Sequence, residues 1–211
     1  MVGTELPAGE FCAELDRRYK GYKKWANESN IEAHEPELWT RWLAPEYPAA
    51  SIAPQAVELT YQYRQTMGKR VVMEGGRQVI VELASRGYIL GIISNVITSR
   101  EIPDWLKADG LDGYFKSMAL SSVLGIRKPH PAIYRYAASQ AGVDPSGCAY
   151  VGDNLDRDVT GTRNAGFGMV IILQDPAEKD VLDSCDDIPD LIIQRLSDLL
   201  VVFPARQLAV S

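Results

Sequence analysis

The sequence predicts an α/β protein, a doubly wound, parallel, Rossmann-like sheet that carries a small α-helical module, and three observations support it. From Glu74 onward short apolar runs alternate with amphipathic stretches of helical period, the pattern of strands joined by right-handed helical crossovers. The runs themselves, YILGII, CAYV and MVIIL, are apolar without alternation, as strands covered on both faces are. Before Gly68 no strand pattern occurs, and apolar residues recur at helical spacing. The expected division is a helical domain over residues 1–72 and an α/β core over 73–211.

Phe11, Leu15, Tyr19 (or Arg18), Tyr22 and Trp25 place a first helix, with Arg17, Lys20, Lys23 and Lys24 mostly on its other faces. Pro36, inside a first turn, starts a second helix over Glu35 to Leu43. Pro45, Pro48 and Pro54 break the chain, and Gln55 to Met67 carries a third helix with Val57, Tyr61 and Arg64 on one face. Trp25, Trp39, Trp42, Tyr47, Tyr61 and Tyr63 crowd this module; aromatics at helical spacing read as core before they read as a ligand cage.

In the second part, helix Gln78 to Arg86 stops at Gly87, and strand Tyr88 to Ile93 runs into Ser94-Asn95. Helix Arg100 to Ala108, a strand near Met118 to Ser121, and helix Pro131 to Ala141 ended by Gly142 follow. Then come strand Cys148 to Val151, helix Asp156 to Ala165 ended by Gly166, and strand Met169 to Leu173. Past an acidic loop, Asp175 to Asp187, a short strand Leu191 to Ile193 and a helix Arg195 to Val202 close the chain.

Composition narrows the function classes. The 211 residues are 46% hydrophobic and 24% charged, with mean hydropathy −0.14, as in a soluble globular protein. A net charge of −6 opposes a sequence-independent grip on nucleic acid. Cys12, Cys148 and Cys185 are far apart with no CxxC spacing, which fits a reduced, cytoplasmic compartment. The polar start MVGTELPAGE is no secretion signal, and no apolar run nears the ~20 residues of a membrane span. Neither a nucleic-acid nor a membrane partner is expected. His34 and His130, both beside prolines, read as exposed and turn residues, and no histidine-based triad is visible.

The stretch Cys148 to Asp158, CAYVGDNLDRD, concentrates the polar chemistry: a strand stops at Gly152, and Asp153, Asp156 and Asp158 follow within six residues. Carboxylates at the carboxyl end of a parallel strand sit where open α/β sheets bind ligands, and they suit a hard cation. The same residues also read as a helix N-cap, Asp153, with acidic residues complementing the helix dipole. Ser94 after YILGII, and Lys128 in RKPHP, stand at other loop positions that could converge with them, or could be an ordinary turn and a solvated lysine.

Ser94 in GIISN, Lys128 in RKPHPAIY, and Asp153 with Asp158 in VGDNLDRDVTGTRNAG, in that order, resemble three motifs of the haloacid dehalogenase (HAD) superfamily from about Glu74 to Leu173. The resemblance implies a Mg²⁺-dependent hydrolase of small phosphorylated metabolites. The Ser94 hydroxyl and the backbone N–H of Asn95 would hold a phosphoryl oxygen, and Lys128 would neutralise it. Asp153 would ligate Mg²⁺, Asp158 would orient a bound water or Lys128, and Asp156 would lie at the surface. Phosphoryl transfer needs its equatorial oxygens stabilised, which a hydroxyl, an ammonium and Mg²⁺ do together. Residues from about Leu6 to Gly68 resemble the helical cap that capped members insert between their first and second motifs.

The resemblance has one departure. The family's first motif, an apolar strand ending in DxDx(T/V), supplies a nucleophilic aspartate and an acid–base aspartate ahead of the cap. Asp16, Asp104, Asp109 and Asp112 neither follow a strand nor begin DxD, and FPARQLAVS holds no Asp. In the family that strand lies between the one ending at Ser94 and the one ending at Gly152. Its absence would leave two apolar edges with unpaired N–H and C=O groups. The sequence is therefore expected to be an amino-terminally incomplete version of a longer protein, or to have another strand fill the gap. It is expected not to turn over as given, and to be open to self-association through the sheet edges. The full form would pass through an aspartyl-phosphate. The rival readings are a non-catalytic HAD-like binding or regulatory protein and, less well matched to GDxxxxD, a metal-independent haloacid dehalogenase.

Overall fold

The computed structural model describes residues 5–174 and 188–205; the acidic loop and Cys185 fall outside them. The first helix, α1 (Ala8–Ser29), follows Pro7 and ends at Asn30 in the left-handed region. Next, α2 (Glu35–Glu37) continues as a π-helical turn, Leu38–Leu43. After Pro48 comes a short helix that the proline-rich sequence hides, α3 (Ala49–Ile52), and then α4 (Ala56–Thr66).

The remaining elements alternate: α5 (Gly76–Ser85), β1 (Leu90–Ser94), α6 (Glu101–Ala108), β2 (Phe115–Leu120), a short α7 (Ser121–Leu124) and α8 (Pro131–Ala141). They continue with β3 (Ala149–Gly152), a π-helical turn Leu155–Val159 leading into α9 (Thr160–Ala165), β4 (Met169–Leu173), β5 (Leu191–Ile193) and α10 (Leu199–Val202). The class is α/β, as the sequence predicts. Among the described residues no helix is long and apolar enough to cross a membrane.

Two compact units form. The first comprises Met1–Arg70, Ser94–Trp105 and Leu120–Arg127; the second comprises Val71–Ile93, Leu106–Ala119 and Lys128–Ser211. In the first, Leu15, Tyr22, Leu38, Trp39, Ile52 and Tyr63 belong to one core, with Trp25, Trp42 and Tyr47 packed against it. The aromatics pack on one another: the Trp25 and Trp42 ring centroids lie 4.9 Å apart, and the Arg41 guanidinium sits over both.

The face of α4 that carries Val57, Tyr61 and Arg64 is not its buried one. The buried side of α4 is Ala56, Leu59, Thr60 and Tyr63, while Val57 is exposed. Trp39 Nε1 donates to Thr60 Oγ1 at 2.8 Å, which turns a polar residue inward. The Arg100 guanidinium covers the Tyr61 ring at 4.2 Å, and Arg64 pairs with Glu101 at 3.1 Å. Alternating aromatics at 61 and 63 make the two faces look equal until these polar partners are known.

In the second unit β3, β4 and β5 form a parallel ladder with Val151 opposite Ile171 and Ile171 opposite Leu191. Strand alternation sends Ile171 to one side, where it packs with Val79 and Leu83 of α5, Ile193 and Leu199. It sends Val170 and Ile172 to the other side, against Val159 and Leu155. Helices therefore cover both faces of β4, which explains its unbroken apolar sequence. β1 pairs with β2 in a separate ladder, and β1 and β3 are not joined.

Candidate active site

The site is built where β3 stops. Gly152 is the last residue of the strand, and a Cβ there would overlap the Asp158 carboxylate. The chain turns, and Asp158 folds back beneath its own loop, its Oδ2 accepting from the backbone N–H groups of Asp153 and Asn154, each at 3.2 Å. The N-cap of the turn that follows is Asn154, not Asp153: its side chain accepts from Arg157 N–H at 2.9 Å. That frees Asp153 from a capping role, and its side chain is 81% exposed.

Lys128 reaches this carboxylate from the loop before α8. Its Nζ lies 3.0 Å from Asp158 Oδ1 and donates to the Tyr150 hydroxyl at 2.5 Å, and the Lys128 side chain is only 7% exposed. Tyr134 braces Tyr150 edge-on at 5.2 Å between centroids. Gly161 in α9 lies so close to the Tyr134 ring and the Pro129 carbonyl that a side chain there would collide with both.

Arg157 is the residue that motif reading missed. Its Nε and Nη2 hold Asp158 at 2.9 and 3.0 Å, and Nη2 also reaches Asp153 Oδ1 at 3.0 Å. The only signal in the sequence is its position four residues after Asp153, where helical geometry pairs opposite charges. Burial alone would raise the Asp158 pKa, but Arg157 and Lys128 outweigh it and hold the carboxyl below its usual range. For Lys128 the balance runs the other way: burial, aided by the Arg157 charge, lowers its pKa despite Asp158.

Lys128, Asp153 and Asp158 are thus brought together in the second unit, with Asp156 exposed beside them. Ser94, the last residue of β1, and Asn95 belong to the first unit, both partly buried. The letters Asp156-Arg157-Asp158-Val159-Thr160 also spell DxDx(T/V), but they lie on the π-helical turn rather than at a strand end, with Asp158 already clamped.

Among the described residues no three His, Cys, Asp or Glu side chains gather as a metal cluster. A Mg²⁺ site needs only one or two carboxylates, its other positions going to water and substrate phosphate. Asp153 fits that role because its carboxylate is exposed at the strand's carboxyl end. Asp158 does not fit as a ligand: two cations and two backbone N–H groups already occupy it.

Comparison with known proteins agrees with the motifs. Residues 7–166 match the family model of haloacid dehalogenase-like hydrolases. The glyceraldehyde 3-phosphate phosphatase of Methanopyrus kandleri is 32% identical over 130 residues, which is 62% of this chain and 54% of that protein. The phosphoserine phosphatase of Thermus thermophilus is 34% identical over 129 residues, 61% of this chain and 49% of that one. The chain thus spans about half the length of these curated relatives. A solved structure of 2-haloacid dehalogenase from Pseudomonas syringae pv. Tomato shares the fold, with TM-score 0.66 at 24% identity over 95% of this chain and 82% of that one.

Proposed function

Because the chain belongs to the haloacid dehalogenase-like hydrolase family, we propose that it serves the Mg²⁺-dependent hydrolysis of a small phosphomonoester, and that as given it does not turn over by itself. The observation that carries this reading is the buried Lys128–Asp158 pair set behind an exposed Asp153 at the carboxyl end of β3. The phosphatase names of the relatives support the substrate class.

Each residue then has one task. Lys128 presents an ammonium to a phosphoryl oxygen, and Asp158 fixes where that ammonium sits. Asp153 holds Mg²⁺, which when bound neutralises charge on the transferring group. By resemblance alone, Ser94 and the backbone N–H of Asn95 hold a second phosphoryl oxygen. The second reading is a non-catalytic HAD-like binding or regulatory protein, which keeps Ser94, Lys128 and Asp153 as a phosphate and cation pocket without a nucleophile.

The chain itself tests the proposal. Titrated calorimetrically with inorganic phosphate, it should bind in Mg²⁺ and not in EDTA, and Asp153→Ala should lose the difference. With an aryl phosphate it should show no turnover. Mg²⁺-dependent turnover abolished by Asp153→Ala would mean that a nucleophile lies within the 211 residues. Halide release from a 2-haloacid without metal would overturn the phosphatase reading. An in-frame upstream segment bearing a strand and DxDx(T/V), joined to the chain, should confer hydrolysis; no such segment upstream would favour the binding protein.

A further inference from the structure

The first unit contains a buried carboxylate, Glu32, that the proposed reaction does not use. Its Oε1 accepts from the Tyr22 hydroxyl, and its Oε2 lies 2.7 Å from Ser121 Oγ and 3.3 Å from Arg127 Nη1. Ser121, buried at the start of α7, touches a second group as well. Its Oγ accepts from the backbone N–H of Val96 at 2.8 Å and lies 3.0 Å from the Val96 carbonyl oxygen. Val96 directly follows Ser94 and Asn95 in the chain. All of these residues belong to the same unit.

A serine hydroxyl has a single proton to donate and two lone pairs with which to accept. Glu32 Oε2 and the Val96 carbonyl compete for that proton, and only one of them can have it. While Glu32 is charged the carboxylate takes it, because a bond to an ionised acceptor is the stronger. The Val96 carbonyl then loses its bond from Ser121. When Glu32 is protonated on Oε2 the order reverses: Glu32 donates to Ser121 Oγ, which still accepts from Val96 N–H and turns its own proton to the Val96 carbonyl. Residue 96 is then held by both of its backbone groups. Burial raises the Glu32 pKa, with Arg127 opposing it, so the neutral form persists to higher pH than in an exposed glutamate.

We infer that Glu32 is a positioning residue of the phosphate site: through the single proton of Ser121 it decides whether the backbone just after Asn95 is held by one hydrogen bond or by two. The inference rests on the reading above, in which the Ser94 hydroxyl and the Asn95 N–H hold a phosphoryl oxygen. A loop already fixed in its binding geometry loses less freedom when the ligand arrives, so the protonated form of Glu32 is the better phosphate holder. The titratable and charged groups that act on Glu32 are Tyr19 and Tyr22 of α1 and Arg127 after α7. Burial first, and the Glu32 charge next, push both tyrosines above their ordinary value, so they stay neutral where Glu32 titrates. His34, two residues on, turns its Nδ1 to the Ser122 carbonyl at 3.0 Å.

The whole chain, isotope-labelled, is titrated with pH and followed by NMR, the Glu32 carboxyl carbon giving its own midpoint. The Val96 carbonyl carbon and the Asn95 amide should shift with that midpoint. Both should stay constant in Glu32→Gln, whose side-chain N–H donates to Ser121 as the protonated acid does. Ser121→Ala removes the relay and leaves Glu32 to titrate; Val96 should then no longer follow, whereas a general effect of the Glu32 charge would persist. Calorimetric titration with inorganic phosphate in Mg²⁺ completes the test. The wild type should match Glu32→Gln below the midpoint and bind roughly three- to tenfold more weakly above it, the ratio removing the pH dependence of phosphate itself. Val96 and Asn95 signals that ignore the Glu32 midpoint would overturn the inference, as would a ratio of one at every pH. Phosphate binding absent from the wild type and from Glu32→Gln at every pH would sink the phosphatase reading and the positioning role together, and a Val96 carbonyl that still followed Glu32 would then leave only a proton linkage within this unit.

Discussion

Two carboxylates, one in each unit, are buried beside a buried cation and yet are pushed in opposite directions. The Asp158 side chain is 0% exposed next to Lys128, and Glu32 is 1% exposed next to Arg127. Asp158 is lowered below its usual range; Glu32 is raised, burial being the main cause and Arg127 opposing it. Burial penalises both anions, so the difference lies in the donors. Asp158 faces two cations, one of them a two-armed guanidinium, and two backbone N–H groups. Glu32 has one cation at 3.3 Å and two hydroxyls, Tyr22 and Ser121. Charge-assisted bonds from a guanidinium and an ammonium are roughly twice as strong as bonds from neutral donors. Burial is the first influence on both groups, and at Asp158 alone a second cation joins the donors that oppose it.

The largest test removes that carboxylate. Asp158→Ala would remove the carboxylate that Lys128 and Arg157 share, and breaking a buried pair from one side costs about 3–5 kcal/mol. Arg157 is partly solvated, which places the expected loss near the lower end, about 3 kcal/mol, read as a fall in the urea midpoint. A loss no larger than that of an exposed ion pair would show that the clamp is not holding the loop.

Glu32→Gln should cost less, about 1–3 kcal/mol, and its pH dependence separates the two sites. A carboxyl raised in the folded state favours folding most below its unfolded pKa of about 4.3. That contribution is lost as pH rises through the folded value. The stability advantage of the wild type over Glu32→Gln should therefore shrink as pH rises above about 4.3. Asp158 has the opposite sign: its contribution is present above an unfolded pKa of about 3.9 and is lost as pH falls through the lowered folded value. The wild type minus Asp158→Asn should thus grow with rising pH over that acid window. Parallel slopes in the two urea-midpoint series would break the comparison.

These two sites were not equally legible. Asp158 stands in a dense acidic run at a strand end, and Lys128 beside two prolines, so sequence pattern alone marks their loops. Glu32 lies between Ile31 and Ala33 with nothing near it in the chain to explain a carboxylate. Its partners, Tyr22, Ser121 and Arg127, come from separate segments, and only the fold brings them together. Arg157 was hidden for another reason: it sits within the motif, but its role depends on the π-helical turn that aims it at two aspartates. The strands and α8 were legible because apolar runs, a first-turn proline and Gly142 are local signals. The buried face of α4 was not, because it includes Thr60, whose partner Trp39 lies in another helix.

Tyr22→Phe probes the neutral donors. The phenol donates to Glu32 and accepts from the Ala33 N–H at 3.0 Å. Removing it leaves that N–H and one carboxylate lone pair without a partner in a dry core, at a cost of about 1–2 kcal/mol. Glu32 should then titrate higher still, since one of the bonds favouring its charged form is gone. The readout is the same urea midpoint, and the wild-type advantage over Glu32→Gln should extend to higher pH in the Tyr22→Phe background.

The smallest effect on stability belongs to the other carboxylate that Arg157 holds. Asp153→Asn loses an ion pair to Arg157, but the Asp153 side chain is 81% exposed and Arg157 keeps both of its bonds to Asp158. Exposed pairs contribute about 0–1 kcal/mol, so the urea midpoint should barely move. The same substitution should abolish Mg²⁺-dependent phosphate binding, because an amide oxygen is a much weaker ligand for a hard cation than a carboxylate. In the proposed division Asp158 organises the loop and Asp153 takes the ligand. A variant that loses stability and metal response together would mean that the two roles are not divided in this way.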